Sequence, residues 1–414
     1  MLTDFDGIGR TIMPRDISRT CRQISNHILP CLLALPMGAA VGAVDALFGR
    51  VLLAVGSFRD SHVIALLPFL PIAGILITWL YKKFGNKAER GMGLVFDVGH
   101  GRESSIPLRL VPLITTSTWA THLFGGSAGR EGVAVQMGAT ISQWVATRLK
   151  RPRNDNTLLI AGMAAGFSGL FRTPIAATMF ALEVLHAGRI EYRALMPALL
   201  GSLCASATSG ALGLEKFQVS VAIPSTVDIG TLLKVIALGA IFGLIGSAFA
   251  WLLARAKASA AAHLENPYLR IAVMGAAIAV FGLLLFSGRY AGLGTNLIEA
   301  SLNGGVVLPL DWFAKLLLTV ATLAAGFQGG EVTPLFSIGA SLGCILATPF
   351  GMDPALVAAL GYTAVFGGAT NTFLAPVLIG AEVFGFQVLP LSFIACAVAY
   401  ACNSDRTIYS GQIR

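Results

Sequence analysis

Charged side chains are absent from long stretches of this chain. The runs 194–214, 235–254, 332–352, 354–381 and 383–404 contain no Asp, Glu, Lys or Arg. Each is long enough to cross a hydrocarbon core of about 30 Å, which takes about 20 residues as helix. Transmembrane strands would instead leave short alternating segments, so the pattern predicts membrane-spanning helices. Further uncharged runs at 110–129, 132–147, 157–171, 271–288 and 316–330 are short and bounded by glycine or charge. Several of them predict half-helices that meet inside the protein.

Composition agrees with the pattern. Of 414 residues, 55% are hydrophobic and 12% charged, and the mean hydropathy is +0.75. Soluble domains would need charged surfaces that this balance does not supply, so the chain is read as an all-α polytopic membrane protein surrounded by lipid. The formal charge of +8 would raise nucleic acid as a partner in a soluble domain. Here the basic residues cluster in connections instead: Arg10, Arg15, Arg19 and Arg22; Lys82, Lys83, Lys87 and Arg90; Arg148, Lys150, Arg151 and Arg153. The positive-inside rule puts these segments, and both termini, in the cytoplasm. With no basic face interleaved with aromatics, nucleic-acid binding is excluded. Residues 1–25 read as a cytoplasmic N-terminal segment without a signal peptide. Residues 26–414 read as one transmembrane domain with no cytoplasmic regulatory module. The six cysteines have neither metal spacing nor a disulfide framework and read as small buried hydrophobes.

The chain also echoes itself. GREGVAVQMGA (129–139) aligns with GEVTPLFSIGA (330–340), pairing Gly129 with Gly330 and Gly138 with Gly339. FSGLFRTPIAATMFALEV (167–184) aligns at a nearly equal offset with FGGATNTFLAPVLIGAEV (366–383), pairing Thr173 with Thr372 and Glu183 with Glu382. The order and offset predict a duplicated architecture with approximate repeats 26–215 and 230–405. Such repeats place a site at the membrane midplane between broken helices.

The adjacent charges Arg130 and Glu131 stand between two short apolar runs, preceded by GGSAG and followed by Gly132. A charge at membrane depth costs about 2.5 to 3.5 kcal/mol, so such a residue is a functional candidate. The glycines let the backbone turn and expose the amides of a helix N-terminus, which attract an anion. Ionised Glu131 can itself be that anion; protonated, it leaves the place to a diffusible one. The alternative is an ion pair in an interfacial loop.

GREG followed by apolar residues resembles the CLC family of chloride channels and anion/proton exchangers, in which the glutamate is the gating carboxylate. The resemblance extends through nearly the whole chain. GMGLV (91–95) is similar to the family's first anion-binding segment, GEVTP (330–334) to the third, and Tyr409 to its pore tyrosine. It implies a CLC-type fold of two inverted halves with broken and tilted helices, a homodimer with one pore per subunit, and Gly91, Met92, Gly93, Arg130, Gly132, Val133, Val332, Thr333 and Tyr409 as anion-binding or pore-lining residues. It implies no metal or other cofactor.

Several positions depart from the chloride pattern. Met92 replaces a serine between glycines, Val332 a phenylalanine, Val133 a proline, and Val184 stands where chloride exchangers carry an acid on the inner proton route. These departures resemble the bacterial fluoride/proton antiporter branch, in which Met92, Val332 and Thr333 are characteristic. The implied function is fluoride export in exchange for protons across a bacterial cytoplasmic membrane, conferring fluoride resistance. A CLC chloride/proton exchanger or chloride channel is the alternative. Physically, Met92 removes a hydroxyl donor, so a small, strongly hydrated anion must find compact donors elsewhere; Thr333 and backbone amides supply them.

Other polar residues have more ordinary readings. Tyr409 also fits an interfacial anchor, and Asn371 and Thr372 fit interhelical glue. Glu183 and Glu382 each fit the stabilisation of a helix end or a pair with a basic loop better than proton carriage. His100 with Asp97 and Glu103 has no metal-site spacing. No Walker loop, no Ser/His/Asp order with a nucleophile elbow and no HExxH is present, so the chain is expected to be gradient-driven and not an enzyme.

Overall fold

Glycine, proline and Asn/Asp caps cut the apolar sequence into helices of very different lengths. The computed structural model describes residues 14–152, 155–223 and 227–413, with the side chains of 14–27 excepted. Arg10 and Arg153 of the basic clusters therefore lie outside the described residues, as do the side chains of Arg15, Arg19, Arg22 and Cys21. The first half comprises α1 (Pro14–Ser61), α2 (Val63–Leu66), α3 (Leu70–Leu80), α4 (Met92–Gly99), α5 (Leu110–Leu123), α6 (Glu131–Arg148), α7 (Thr157–Phe171), α8 (Pro174–Glu183) and α9 (Leu195–Ala211). The second comprises α10 (Ile229–His263), α11 (Pro267–Leu284), α12 (Thr295–Leu302), α13 (Asp311–Ala325), α14 (Val332–Phe350), α15 (Pro354–Thr370), α16 (Leu374–Phe384) and α17 (Leu389–Ala401). Among the described residues there is no strand, only isolated bridges.

Helices long and apolar enough to span a membrane run over Ile28–Ser61, Val63–Gly85, Tyr192–Ala211, Ile229–His263, Pro267–Leu284 and Val332–Phe350. Their outward faces are apolar, with Ile64, Ile72, Leu233, Leu244 and Val280 all exposed, as a lipid-facing surface requires. Several starts are legible chemically. Asp228 caps α10 through Thr231 N at 2.9 Å, and Asp353 caps α15 through Leu356 N at 2.9 Å with Pro354 following.

Two expected spans prove to be broken. The uncharged run 354–381 divides into α15 and α16 at Asn371, which adopts φ 54°. The run 383–404 is interrupted at Gly385, φ 99°, and only Leu389–Ala401 continues as α-helix. Neither break changes charge, so an uncharged-run criterion passes over both. The first half repeats the first break: α7 ends at Arg172, φ 57°, the counterpart of Asn371 in the echo.

The two halves pack alike. α6 lies on α7 as α14 lies on α15, and α7 on α9 as α15 on α17. Each of the first pairs meets at a glycine. A methyl group on Gly138 would run into the Gly162 carbonyl, and one on Gly339 into the Gly361 carbonyl. Small residues at these crossings let the helix backbones touch.

Candidate functional site

α6 and α14 begin at the same place. Just ahead of them Gly129 and Gly330, paired in the sequence echo, form an antiparallel bridge, with Gly129 N donating to Gly330 O at 2.5 Å and Gly330 N to Gly129 O at 2.8 Å. Strands of chain that meet antiparallel send their helices away in opposite directions, which is the inverted arrangement. Two helix N-termini, with their unpaired amides, thus converge at one point.

Glu131, the first residue of α6, fills that point. Its side chain is completely buried. Oε2 accepts from Thr333 N at 3.1 Å, from the Thr333 hydroxyl, and from Arg130 N at 3.3 Å. Thr333 lies in the first turn of α14, so a carboxylate from one half caps the helix of the other. Glu331, the N-cap residue of α14, makes no side-chain cap bond of its own. The remaining oxygen of Glu131, Oε1, has no hydrogen-bond partner and sits 3.6 Å from Arg130 Nε. The Arg130 Nε and Nη1 donors are likewise buried and unpartnered. A half-satisfied carboxylate thus occupies a nest of donors suited to any small anion.

Below this point lies a cavity of about 330 Å³. Gly91, Met92, Gly93 and Tyr409 all line it, together with Gln136, Lys257 and Glu331. Gly91 has φ 50° and precedes α4, which places Met92 at the first turn of that helix. Tyr409 packs on Phe96 and Phe180, with centroids 5.5 and 6.1 Å apart. From Phe180 an aromatic wall continues through Phe366 and Phe336 to Tyr362, which stacks on Phe336 at 4.0 Å. Val133 and Val332 are buried beside the carboxylate in their helices and do not line the cavity. A Cβ on Gly132 would stand 3.8 Å from Glu331 Oε2, an ordinary contact that places this carboxylate close to the start of α6.

The echoed glutamates cap helices reciprocally. Glu183 accepts from Phe373 N at 3.0 Å and Leu374 N at 2.8 Å, at the start of α16. Glu382 accepts from Ala176 N at 2.8 Å and Ile175 N at 3.4 Å, at the start of α8. Asn371 bonds Asn403 Nδ2 at 3.0 Å, and the Thr372 hydroxyl bonds that of Thr370 at 2.8 Å. All four side chains bind protein partners.

Sequence reasoning passed over several buried or half-buried polar groups, among them Glu331, Gln136 and Lys315 around the site. Glu331 lines the cavity, its side chain 16% exposed, with Lys257 Nζ 3.8 Å from Oε1. Gln136 projects from α6 into the same cavity. Lys315, fully buried on α13, donates to Ser127 Oγ at 2.9 Å, Tyr290 O at 3.1 Å and Gly292 O at 2.7 Å, pinning the loop that leads to Glu131. The first is a charge next to a landmark, and a carboxylate within GEVTP was the available signal. The other two have no local pattern.

Opposed helix N-termini around a buried carboxylate, inside a membrane-spanning bundle, define an integral membrane protein with a candidate anion-binding centre. A family profile described as voltage gated chloride channel matches residues 73–404. The chain belongs to that family, the CLC family its GREG segment resembles, whose members are ion channels and transporters. A chloride/fluoride channel protein of Pseudomonas syringae pv. tomato is 37% identical over 384 residues, spanning 90% of this chain and 83% of that protein. The crystal structure of a CLC-type fluoride/proton antiporter, 48% identical, superposes with a TM-score of 0.92 over 97% of this chain and 99% of that one. A slow cyanobacterial Cl⁻/H⁺ antiporter, at 21% identity, shares the fold with a TM-score of 0.80, covering 92% of this chain and 96% of that one.

Proposed function

We propose that this CLC protein exports fluoride from a bacterial cytoplasm in exchange for protons moving inward. The observation that carries the reading is the docking of Glu131 on Thr333, a carboxylate held where an anion would be held. A relative 48% identical to this chain is a fluoride/proton antiporter, and Met92, Val332 and Thr333 resemble that branch. Chloride/proton exchange or a chloride channel is the reading to be separated from it.

In the proposed cycle, ionised Glu131 closes the path by taking the amide and hydroxyl of Thr333. Protonation weakens it as an acceptor, the side chain leaves, and fluoride takes the same donors. Val184 offers no acid on the inner side, which would leave Glu131 to meet the inner solution unaided. Glu331 supports a different route: its carboxylate lines the cavity and passes close to Gly132, so it relays the proton between Glu131 and the solution below.

Two basic loops support the cavity facing the cytoplasm. Gln143 Nε2 on α6 bonds Ser104 O at 3.5 Å and Asn156 bonds Gly99 O, which brings the segments carrying Arg90 and Arg151 to one face. Under the positive-inside rule that face is inner. The protein is proposed to work as a homodimer in the cytoplasmic membrane, with a pore in each subunit.

Simultaneous recording of fluoride and pH in proteoliposomes tests the reading. Wild-type protein is expected to move fluoride one way and protons the other, with fluoride preferred over chloride; a chloride preference overturns the assignment. Glu131→Gln, permanently neutral, is expected to lose proton coupling. Fluoride flux still tightly coupled in that variant rules the mechanism out.

A further inference from the structure

Gln136 is buried to 6% exposure on α6 and opens into the cavity beneath Glu131. Its backbone carbonyl is engaged by the Thr140 hydroxyl at 2.6 Å, an ordinary helical contact. Its side-chain oxygen, Oε1, is buried without a partner. A carboxamide carries two donors and an oxygen acceptor, and leaving the buried oxygen unused is costly. Such a group marks a place where something else binds.

The surroundings say what that is. The oxygen lies over Gly91, 3.2 Å from where a Cβ would stand, so a larger residue there would crowd it. The side chain lines the same cavity as Met92, Glu331 and Tyr409. Met92 offers no strong donor to that space, and Lys257 is drawn toward Glu331 at 3.8 Å. Thr333, the donor at the upper site, is occupied by Glu131. Tyr409 and Ser410, which carry hydroxyls, also line the cavity, and the N–H pair of Gln136 is a further compact uncharged donor for an anion there.

We propose that Gln136 binds the transported anion in the lower cavity, its amide N–H groups donating to fluoride and its oxygen accepting from a water that fluoride retains. It takes over the donor function absent at Met92 and makes the cavity a station between the inner solution and Thr333. A neutral amide suits this task because it can release the ion. A fixed cation at the same place would hold it and would draw Glu331 away from its proposed proton relay. The inference rests on the fluoride reading of the site.

The test uses full-length protein in liposomes. Gln136→Met keeps the length and removes both donors and acceptor; Gln136→Glu is isosteric and presents a carboxylate to the anion. Fluoride efflux is measured against internal fluoride concentration, with parallel chloride efflux and pH. Loss of a hydrogen bond to a charged partner predicts a roughly 10- to 100-fold higher KM for fluoride in Gln136→Met. The saturating rate and the fluoride carried per proton should stay near wild type, and the fluoride-over-chloride preference should fall. A purely structural role would lower the amount of active protein and leave KM and preference unchanged. Gln136→Glu should bind fluoride more weakly still, and its affinity should recover at low pH. Wild-type KM and preference in either folded variant overturn the proposal. Wild-type protein that prefers chloride overturns the functional reading, and this proposal with it.

Discussion

The hydroxyl of Thr333 can be removed with almost no change of shape, which makes Thr333→Val a sharp probe of the proposed gate. In the resting structure Oε2 of Glu131 takes three donors: Thr333 N at 3.1 Å, the Thr333 hydroxyl, and Arg130 N at 3.3 Å. Thr333 is 4% exposed, so water cannot readily replace the lost group. A hydrogen bond to a charged acceptor contributes about 1.5 to 3 kcal/mol. Its removal should shift the balance between docked and released Glu131 by roughly 10- to 100-fold toward release. In the proposed cycle, a Glu131 that docks less often would leave the path open, and fluoride would then pass without its proton. The expected result in fluoride and pH recordings is more fluoride carried per proton and a raised fluoride KM, because the ion uses the same hydroxyl. Thr333→Ser, which restores the donor, should return both quantities toward wild type. Monodisperse Thr333→Val protein with wild-type coupling and KM would refute the claim that carboxylate and anion compete for this site.

Two further outcomes follow from the buried polar groups around the gate. Glu183→Ala and Glu382→Ala each strand two amides at the start of a broken helix, so each variant should lose about 2 to 4 kcal/mol of stability, read as a lower melting temperature in detergent. The protein that remains folded should keep its proton coupling; lost coupling without lost stability would assign these glutamates to proton transfer. Lys315→Met should cost at least about 2 kcal/mol by leaving Ser127, Tyr290 and Gly292 oxygens without their shared donor. It should also slow fluoride flux at least roughly tenfold, since the loop it pins positions Glu131; unchanged flux would show that the loop holds itself.

Much of this architecture is legible because membrane insertion and helix ends leave chemical marks. Uncharged runs marked α9, α10 and α14, and the short runs marked α6 and α7 as helices that stop inside the protein. The sequence reading passed over the uncharged runs 23–44 and 61–81, which carry much of the spans Ile28–Ser61 and Val63–Gly85. It also merged α15 with α16, because Asn371 turns the chain by its backbone conformation and changes no charge. At the site, GREG, GMGLV and Tyr409 were visible as motifs. Gln136, Glu331 and Lys315 were not, since their meaning depends on partners from distant segments.

Glu131, Glu183 and Glu382 show why the remaining distinction needs coordinates. All three are carboxylates at the ends of apolar segments, and each caps a helix of the opposite half. By sequence, two of them even hold matching positions in the echo. The difference lies in how completely each is satisfied. Both oxygens of Glu183 and both of Glu382 accept backbone amides, so moving either side chain exposes two donors with nothing to replace it. Glu131 commits only Oε2 and leaves Oε1 without a partner beside the free donors of Arg130. A fully bonded carboxylate is a fixture, whereas a half-bonded one in a nest of donors can be displaced by a competing anion at modest cost. The same capping interaction that closes the ends of α8 and α16 therefore becomes, at α14 and in the proposed cycle, one that a small anion exchanges for its own.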